Sequence, residues 1–143
     1  MDMINFMREL SWGLAPLPLT YMFGTGNHMR SRVLSKVTPY VIITGCDSGG
    51  GMMTAIHMQN NGFEVIATCE SDEGVERLKD RVKLAMKMDV TKDRDINQVM
   101  QRTQTMLNQD TRGRLWCLIN NAGMNIAAPI DWMSFEDFRK MAD

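Results

Sequence analysis

The sequence predicts an α/β fold over residues 39–143, a doubly wound parallel sheet of about four strands with flanking helices. Three observations carry this expectation. From residue 40 onward, apolar runs of strand length alternate with stretches whose apolar residues recur at helical spacing, the pattern of βα units. A glycine cluster follows the first apolar run directly, in VIITGCDSGGGM from Val41 to Met52. The chain has 143 residues and 44% hydrophobic content, enough for one domain with its own core.

Each element has its own reason. Tyr40 to Thr44 is a short run rich in β-branched residues and reads as a buried strand. Met52 to Asn61 reads as a helix, ended by Gly62, since glycine is common just past a helix C-terminus. Glu64 to Thr68 is the second strand. Ser71 can cap the next helix, Asp72 and Glu73 suit its positive end, and Val75, Leu78 and Val82 share one face. Leu84 to Met88 is a weaker third strand closed by Asp89. Thr91 or Asp93 opens a helix whose apolar face is Ile96, Val99, Met100, Met106 and Leu107. Gly113 marks a turn and Leu115 to Ile119 reads as a fourth buried strand. Ser134 with Asp137 three residues on opens one more helix. Right-handed crossovers would bring the ends of all these strands to one edge of the sheet.

Composition excludes several classes. A net charge of −1 gives no basic footprint for nucleic acid. Cys46, Cys69 and Cys117 stand far apart with no CxxC pair, so neither a disulfide framework nor a zinc site is indicated, and a reducing, intracellular setting follows. The 15 methionines are explained by nothing more specific than gap-filling in a core. Residues 1–38 fall outside the alternation and read as a lead segment. Leu10 to Asn27 is uncharged but broken by Pro16 and Pro18. An irregular segment is the simpler reading, and a membrane-surface anchor through Trp12, Tyr21 and Phe23 the other. Gly24 and Gly26 lack a preceding strand and read as a loop. His57 reads as a helix-surface residue without a carboxylate partner.

A strand, a glycine turn and a helix together make a phosphate-binding arrangement. The helix N-terminus presents unpaired N–H groups, and glycine lets the backbone approach a pyrophosphate. The P-loop pattern fails, because Gly51 and Met52 stand where Lys and Ser/Thr are required. GxGxxG fails too, since Gly49, Gly50 and Gly51 are followed by Met52, Met53 and Thr54. The pattern that fits is T-G-x-x-x-G-x-G, at Thr44, Gly45, Gly49 and Gly51, with Ser48 and Gly50 between. Asp89-Val90 closes the third strand, and Asn120-Asn121-Ala122-Gly123 follows the fourth.

These motifs, in this order, resemble the short-chain dehydrogenase/reductase family from about Val37 to Asp143. ITGCDSGGG, Asp131-Trp132-Met133 and Glu136-Asp137-Phe138 resemble its branch of retinol and 17β-hydroxysteroid dehydrogenases. In that branch a phenylalanine usually stands at the place of Gly50, so the glycine is expected to loosen the turn. The resemblance implies the N-terminal half of a Rossmann-type sheet, incomplete at the C-terminus, and a nicotinamide dinucleotide as cofactor. It implies that Asp89 contacts the adenine, and that the Asn120–Gly123 motif supports the sheet and the cofactor site. Cys69 stands where many NAD-using relatives carry Asp, and Glu70, Asp72 and Glu73 follow it. An acid here suits the free ribose hydroxyls and opposes a 2′-phosphate, so NAD is expected ahead of NADP.

The family's chemistry is hydride transfer to or from a small lipophilic alcohol or ketone. A Tyr acts as acid/base, a Lys four residues on lowers its pKa, and a Ser orients the substrate. Tyr21 and Tyr40 are followed four residues on by Thr25 and Thr44, and both precede the glycine motif. No catalytic residue is therefore assigned. The resemblance places the catalytic set, further strands and the oligomer helices beyond Asp143, and places many relatives in the cytoplasm or at the endoplasmic reticulum membrane. Two other readings stay open: a non-catalytic dinucleotide-binding or partner-binding product, and an unstable fragment.

Overall fold

A computed structural model describes residues 36–142. The expectations for Leu10 to Asn27 and for Gly24 and Gly26 lie outside the described residues. Four strands, β1 (Thr38–Ile43), β2 (Glu64–Cys69), β3 (Leu84–Lys87) and β4 (Gly113–Ile119), alternate with four helices, α1 (Gly49–Asn60), α2 (Asp72–Leu78), α3 (Asp93–Gln109) and α4 (Phe135–Ala142). All strand pairs are parallel, and the order across the sheet is β3-β2-β1-β4.

The centre of the sheet, at β1 and β2, is buried on both faces, as expected of a parallel sheet, while β3 and β4 are partly exposed. Alternate residues of each strand face opposite ways. Val41, Ile43, Val65 and Ala67 meet Met52, Ala55 and Ile56 of α1 and Val75 and Leu78 of α2. Tyr40, Ile42, Ile66 and Met88 meet Ile96, Val99, Met106 and Leu107 of α3. Three layers result, which is the doubly wound architecture the sequence predicts. One irregularity interrupts the alternation. The β1–β4 register shifts between Tyr40 and Val41, so that Tyr40 pairs with Leu115 and Val41 with Cys117. Trp116 is the extra residue of a bulge, and both it and Cys117 pack on the α1–α2 side.

Local signals explain most boundaries. The Ser71 hydroxyl accepts the Gly74 amide at 3.0 Å and caps α2. The Ser134 hydroxyl accepts the Asp137 amide at 3.1 Å and starts α4. The Gln59 side-chain oxygen accepts the amides of Val65 (3.0 Å) and Lys83 (2.8 Å), joining the end of α1 to the starts of β2 and β3. Several expectations shift. β1 starts at Thr38, two residues before the expected Tyr40 and within the expected lead segment, and Val82 lies past the end of α2. Gly113 is the first residue of β4 and pairs with Thr38, while Asp110 accepts its amide to make the turn before it. α1 begins at Gly49, three residues before the expected Met52.

Candidate functional site

Because the strands are parallel, their carboxyl ends share one edge. The chain order reverses between β1 and β4, and the crevice outside such a switch point is where open α/β sheets bind ligands. Two loops line it, residues 44–48 after β1 and residues 120–123 after β4.

Thr44 and Asn121 clasp these loops together. The buried Thr44 hydroxyl accepts the amides of Asn121 (3.0 Å) and Ala122 (2.9 Å). The Asn121 side-chain amide donates to the carbonyls of Thr44 (3.0 Å) and Gly45 (2.9 Å). The approach is so close that side chains are excluded. A Cβ on Gly45, whose φ is +67°, would stand 2.6 Å from the Ala122 Cα, and one on Gly51 would fall on the Gly45 carbonyl oxygen.

Beside the clasp, the N-terminus of α1 is open. Ser48 precedes it without a side-chain capping bond, and the first turn carries no acid. Gly49 and Gly50 are exposed, and a Cβ on either would have no neighbour within 4 Å; the same holds for Gly123 across the crevice. Bare amides at a positive helix end, with side-chain space left empty, fit an anion such as a pyrophosphate. The turn itself is made by Gly45 and Gly49, both with positive φ. Gly50 is the second residue of a formed helix, so the turn is not loosened there as the sequence suggests.

At the end of β2 the structure separates two expected site residues. Cys69 is fully buried in the α1–α2 side of the core, and burial first, then the nearby Asp47 charge, pushes its thiol up to about 11. Its side chain therefore faces the core and not the crevice. Glu70 is exposed and is the acid available at this edge. Its amide donates to Asp47 Oδ2 at 2.8 Å, and Asp47 Oδ1 accepts the Ser71 amide (2.9 Å) and hydroxyl (2.6 Å). The sequence reading passed over Asp47. Its one signal is an acid inside the glycine motif ahead of a strand that ends in a capping serine.

At the end of β3, Asp89 Oδ1 accepts the Thr91 amide (3.0 Å) and hydroxyl (2.7 Å), and Oδ2 pairs with Lys92 Nζ at 2.8 Å. The Lys92 bond above all, and then those from Thr91, hold this carboxyl well below the usual carboxylate range. Val90 beside it is exposed. Lys92 also feels the charge of Glu70, which places the ends of β2 and β3 within electrostatic reach of each other. Asn120 is exposed at the end of β4. Tyr40 lies far from all of this. It is buried on the α3 side near the start of β1, with its hydroxyl 3.5 Å from Asp110 before β4. His57 is exposed on the last turn of α1 beside Asn61, as expected of a surface residue.

Known proteins share this arrangement. The family model described as short chain dehydrogenase matches residues 39–143. Human dehydrogenase/reductase SDR family member 9 is 41% identical over 106 residues, covering 71% of this chain and 32% of that protein. Mouse retinol dehydrogenase 7 is 37% identical over 108 residues, covering 73% of this chain and 33% of that protein. The chain thus spans about a third of the length of the curated relatives it matches. A crystal structure of a short chain dehydrogenase from Bacillus anthracis superimposes with a TM-score of 0.62 at 24% identity, over 76% of this chain and 43% of that one. A structure of actinorhodin polyketide ketoreductase with NADPH gives 0.59 at 20% identity, over 73% and 40%. With the clasp, the open helix end and the motif order in place, the chain belongs to the short-chain dehydrogenase family of oxidoreductases, on the branch of the retinol dehydrogenases.

Proposed function

We propose that residues 39–143 form the cofactor-binding half of a short-chain oxidoreductase that acts on a small lipophilic alcohol or ketone of retinol or steroid type. The cofactor is a nicotinamide dinucleotide, NAD in preference to NADP. The observation that carries this reading is the Thr44–Asn121 clasp beside the open α1 N-terminus, a cradle of backbone amides with no side chain in it. Gly49, Gly50 and Gly51 with Thr44 would hold the pyrophosphate, Glu70 the ribose hydroxyls, Asp89 and Val90 the adenine side, and Asn120 to Gly123 the crevice wall. Bound there, the nicotinamide supplies the hydride acceptor or donor.

The substrate class is supported by relatives named retinol dehydrogenase, and by the family's use of alcohols and carbonyls. No Tyr-x-x-x-Lys follows Gly123 within these 143 residues, so no catalytic residue is assigned among them. A partner-binding role is the second reading. It is favoured by Ile130, Trp132 and Phe135, each at least 80% exposed. The resemblance also carries an intracellular site, in the cytoplasm or at the endoplasmic reticulum surface with the segment ahead of β1 as the anchor. Among the described residues no helix is long and apolar enough to cross a membrane.

The test is a titration of the chain with NADH, following energy transfer from its tryptophans to the nicotinamide. Saturable transfer that excess NAD abolishes is the expected result. A flat titration, with the chain shown to be folded by circular dichroism, overturns the reading.

A further inference from the structure

We infer that Asp47 is a positioning residue that sets this site against a 2′-phosphate, by locking the joint between β2 and α2, with Glu70 on it, to the glycine loop and by fixing a negative charge beneath that joint. The inference rests on the dinucleotide reading above. An acid about 20 residues after the glycine motif is the group that takes the ribose hydroxyls in dinucleotide-binding folds, and Glu70 is the first exposed acid past β2 at that distance. Glu70 sits on a connection between strand and helix, so something must hold it.

Asp47 does so with three bonds. Oδ2 accepts the amide of Glu70 itself at 2.8 Å, and Oδ1 accepts the Ser71 amide at 2.9 Å and hydroxyl at 2.6 Å. Hydrogen bonds to an ionised acceptor are short and roughly twice as strong as neutral ones. The surroundings are cut to this side chain: a Cβ on Gly74 would stand 2.6 Å from Asp47 Oδ1. The joint and the glycine loop are therefore one rigid piece, although 23 residues separate Asp47 from Glu70.

Charge points the same way. Discrimination for a 2′-phosphate needs a free cation nearby. Lys92 is paired with Asp89 at 2.8 Å and Lys87 with Asp72 at 2.6 Å. Arg77 donates its Nε to the Glu73 carbonyl at 3.2 Å, a neutral partner that leaves its charge in place. Asp47, whose three donors are all uncharged groups, and exposed Glu70 add two negative charges to this corner. A phosphate bearing close to two negative charges would be repelled.

The experiment measures dissociation constants of NADH and NADPH for the intact chain, by the same energy transfer at fixed salt. The wild-type chain is expected to bind NADPH at least tenfold more weakly than NADH. Asp47→Asn removes the charge and turns a side-chain N–H toward the Glu70 amide, so the two donors collide. The ratio of NADPH to NADH dissociation constants should fall at least tenfold. Gly74→Ala keeps the charge but drives Asp47 off its partners, and should lower the same ratio at least threefold. It also decides the matter if Asp47→Asn does not fold. A merely structural Asp47 would weaken both cofactors by one factor and leave the ratio unchanged, and that result overturns the inference. A wild-type ratio near one overturns it while leaving the dinucleotide reading intact, whereas binding of neither cofactor overturns both.

Discussion

Asp47 carries one carboxylate whose two oxygens hold three donors, and its titration is tied to stability. Burial raises its pKa, but the Ser71 hydroxyl and the amides of Glu70 and Ser71 outweigh burial and hold it below the usual carboxylate value. The folded pKa is thus below the unfolded value of about 3.9. The sign follows: stability from Asp47 is fully present above the unfolded pKa and is lost as pH falls through the folded one. Asp47→Asn should therefore lower the urea midpoint most at neutral pH and converge with wild type in strong acid. Urea melts from pH 7 down to about pH 1 check this. A gap that stays constant across that range would mean the loss is one of shape and not of charge. Such bonds explain what the sequence could convey at this scale. Thr44, Asn121 and the glycines were legible because their types and order form a motif, although Thr44 and Asn121 bond across 77 residues. Asp47 was not, because an acid between Cys46 and Ser48 looks like a spacer until the fold brings Glu70 and Ser71 to it.

Elements were legible wherever side-chain periodicity or a cap marked them. The stripe Ile96, Val99, Met106 and Leu107 announced α3, and all four pack on the sheet. Ser71 announced α2 through the same hydroxyl that now caps it. The start of α1 was hidden because three glycines argue against helix by propensity. Tertiary packing overrides them, since only the absence of a Cβ at Gly51 lets the helix press against the Gly45 carbonyl. The three glycines are consequently not equivalent. Gly49 has φ +56°, where an L side chain is strained, so Gly49→Ala should destabilise by about 1 kcal/mol. Gly50 lacks the positive φ, lies within the helix and has open space around it. Gly50→Ala should stabilise by about 0.5–1 kcal/mol through the lower entropy of the unfolded chain. Thermal melts of the two variants should shift in opposite directions, and shifts of the same sign would contradict the assigned helix start. The bulge at Trp116 had no such local mark, because LWCLI is apolar on both faces and a one-residue slip leaves no trace in its pattern.

At the scale of the molecule, a parallel sheet with helices on both faces followed from alternation alone, whereas the order β3-β2-β1-β4, which places the site at the switch between β1 and β4, comes from the structure. What the pattern could not convey is how unevenly the apolar surface is covered. The centre of the sheet, at β1 and β2, is buried on both faces, whereas Leu115 to Ile119 of β4 are only half-buried. Among the described residues no strand pairs with the outer edge of β4. Beyond it Ile130, Trp132 and Phe135 are 81%, 80% and 80% exposed. An open parallel edge and exposed aromatics are both surfaces that associate. Stability and solubility should therefore separate in this chain. Replacing Trp132 and Phe135 together by serine removes apolar surface that contributes little to the core. The unfolding free energy should stay within about 0.5 kcal/mol of wild type. Light scattering at matched concentration, and binding of an apolar fluorescent dye, should both fall. If scattering persists unchanged while dye binding drops, the edge of β4 drives association and the aromatics do not.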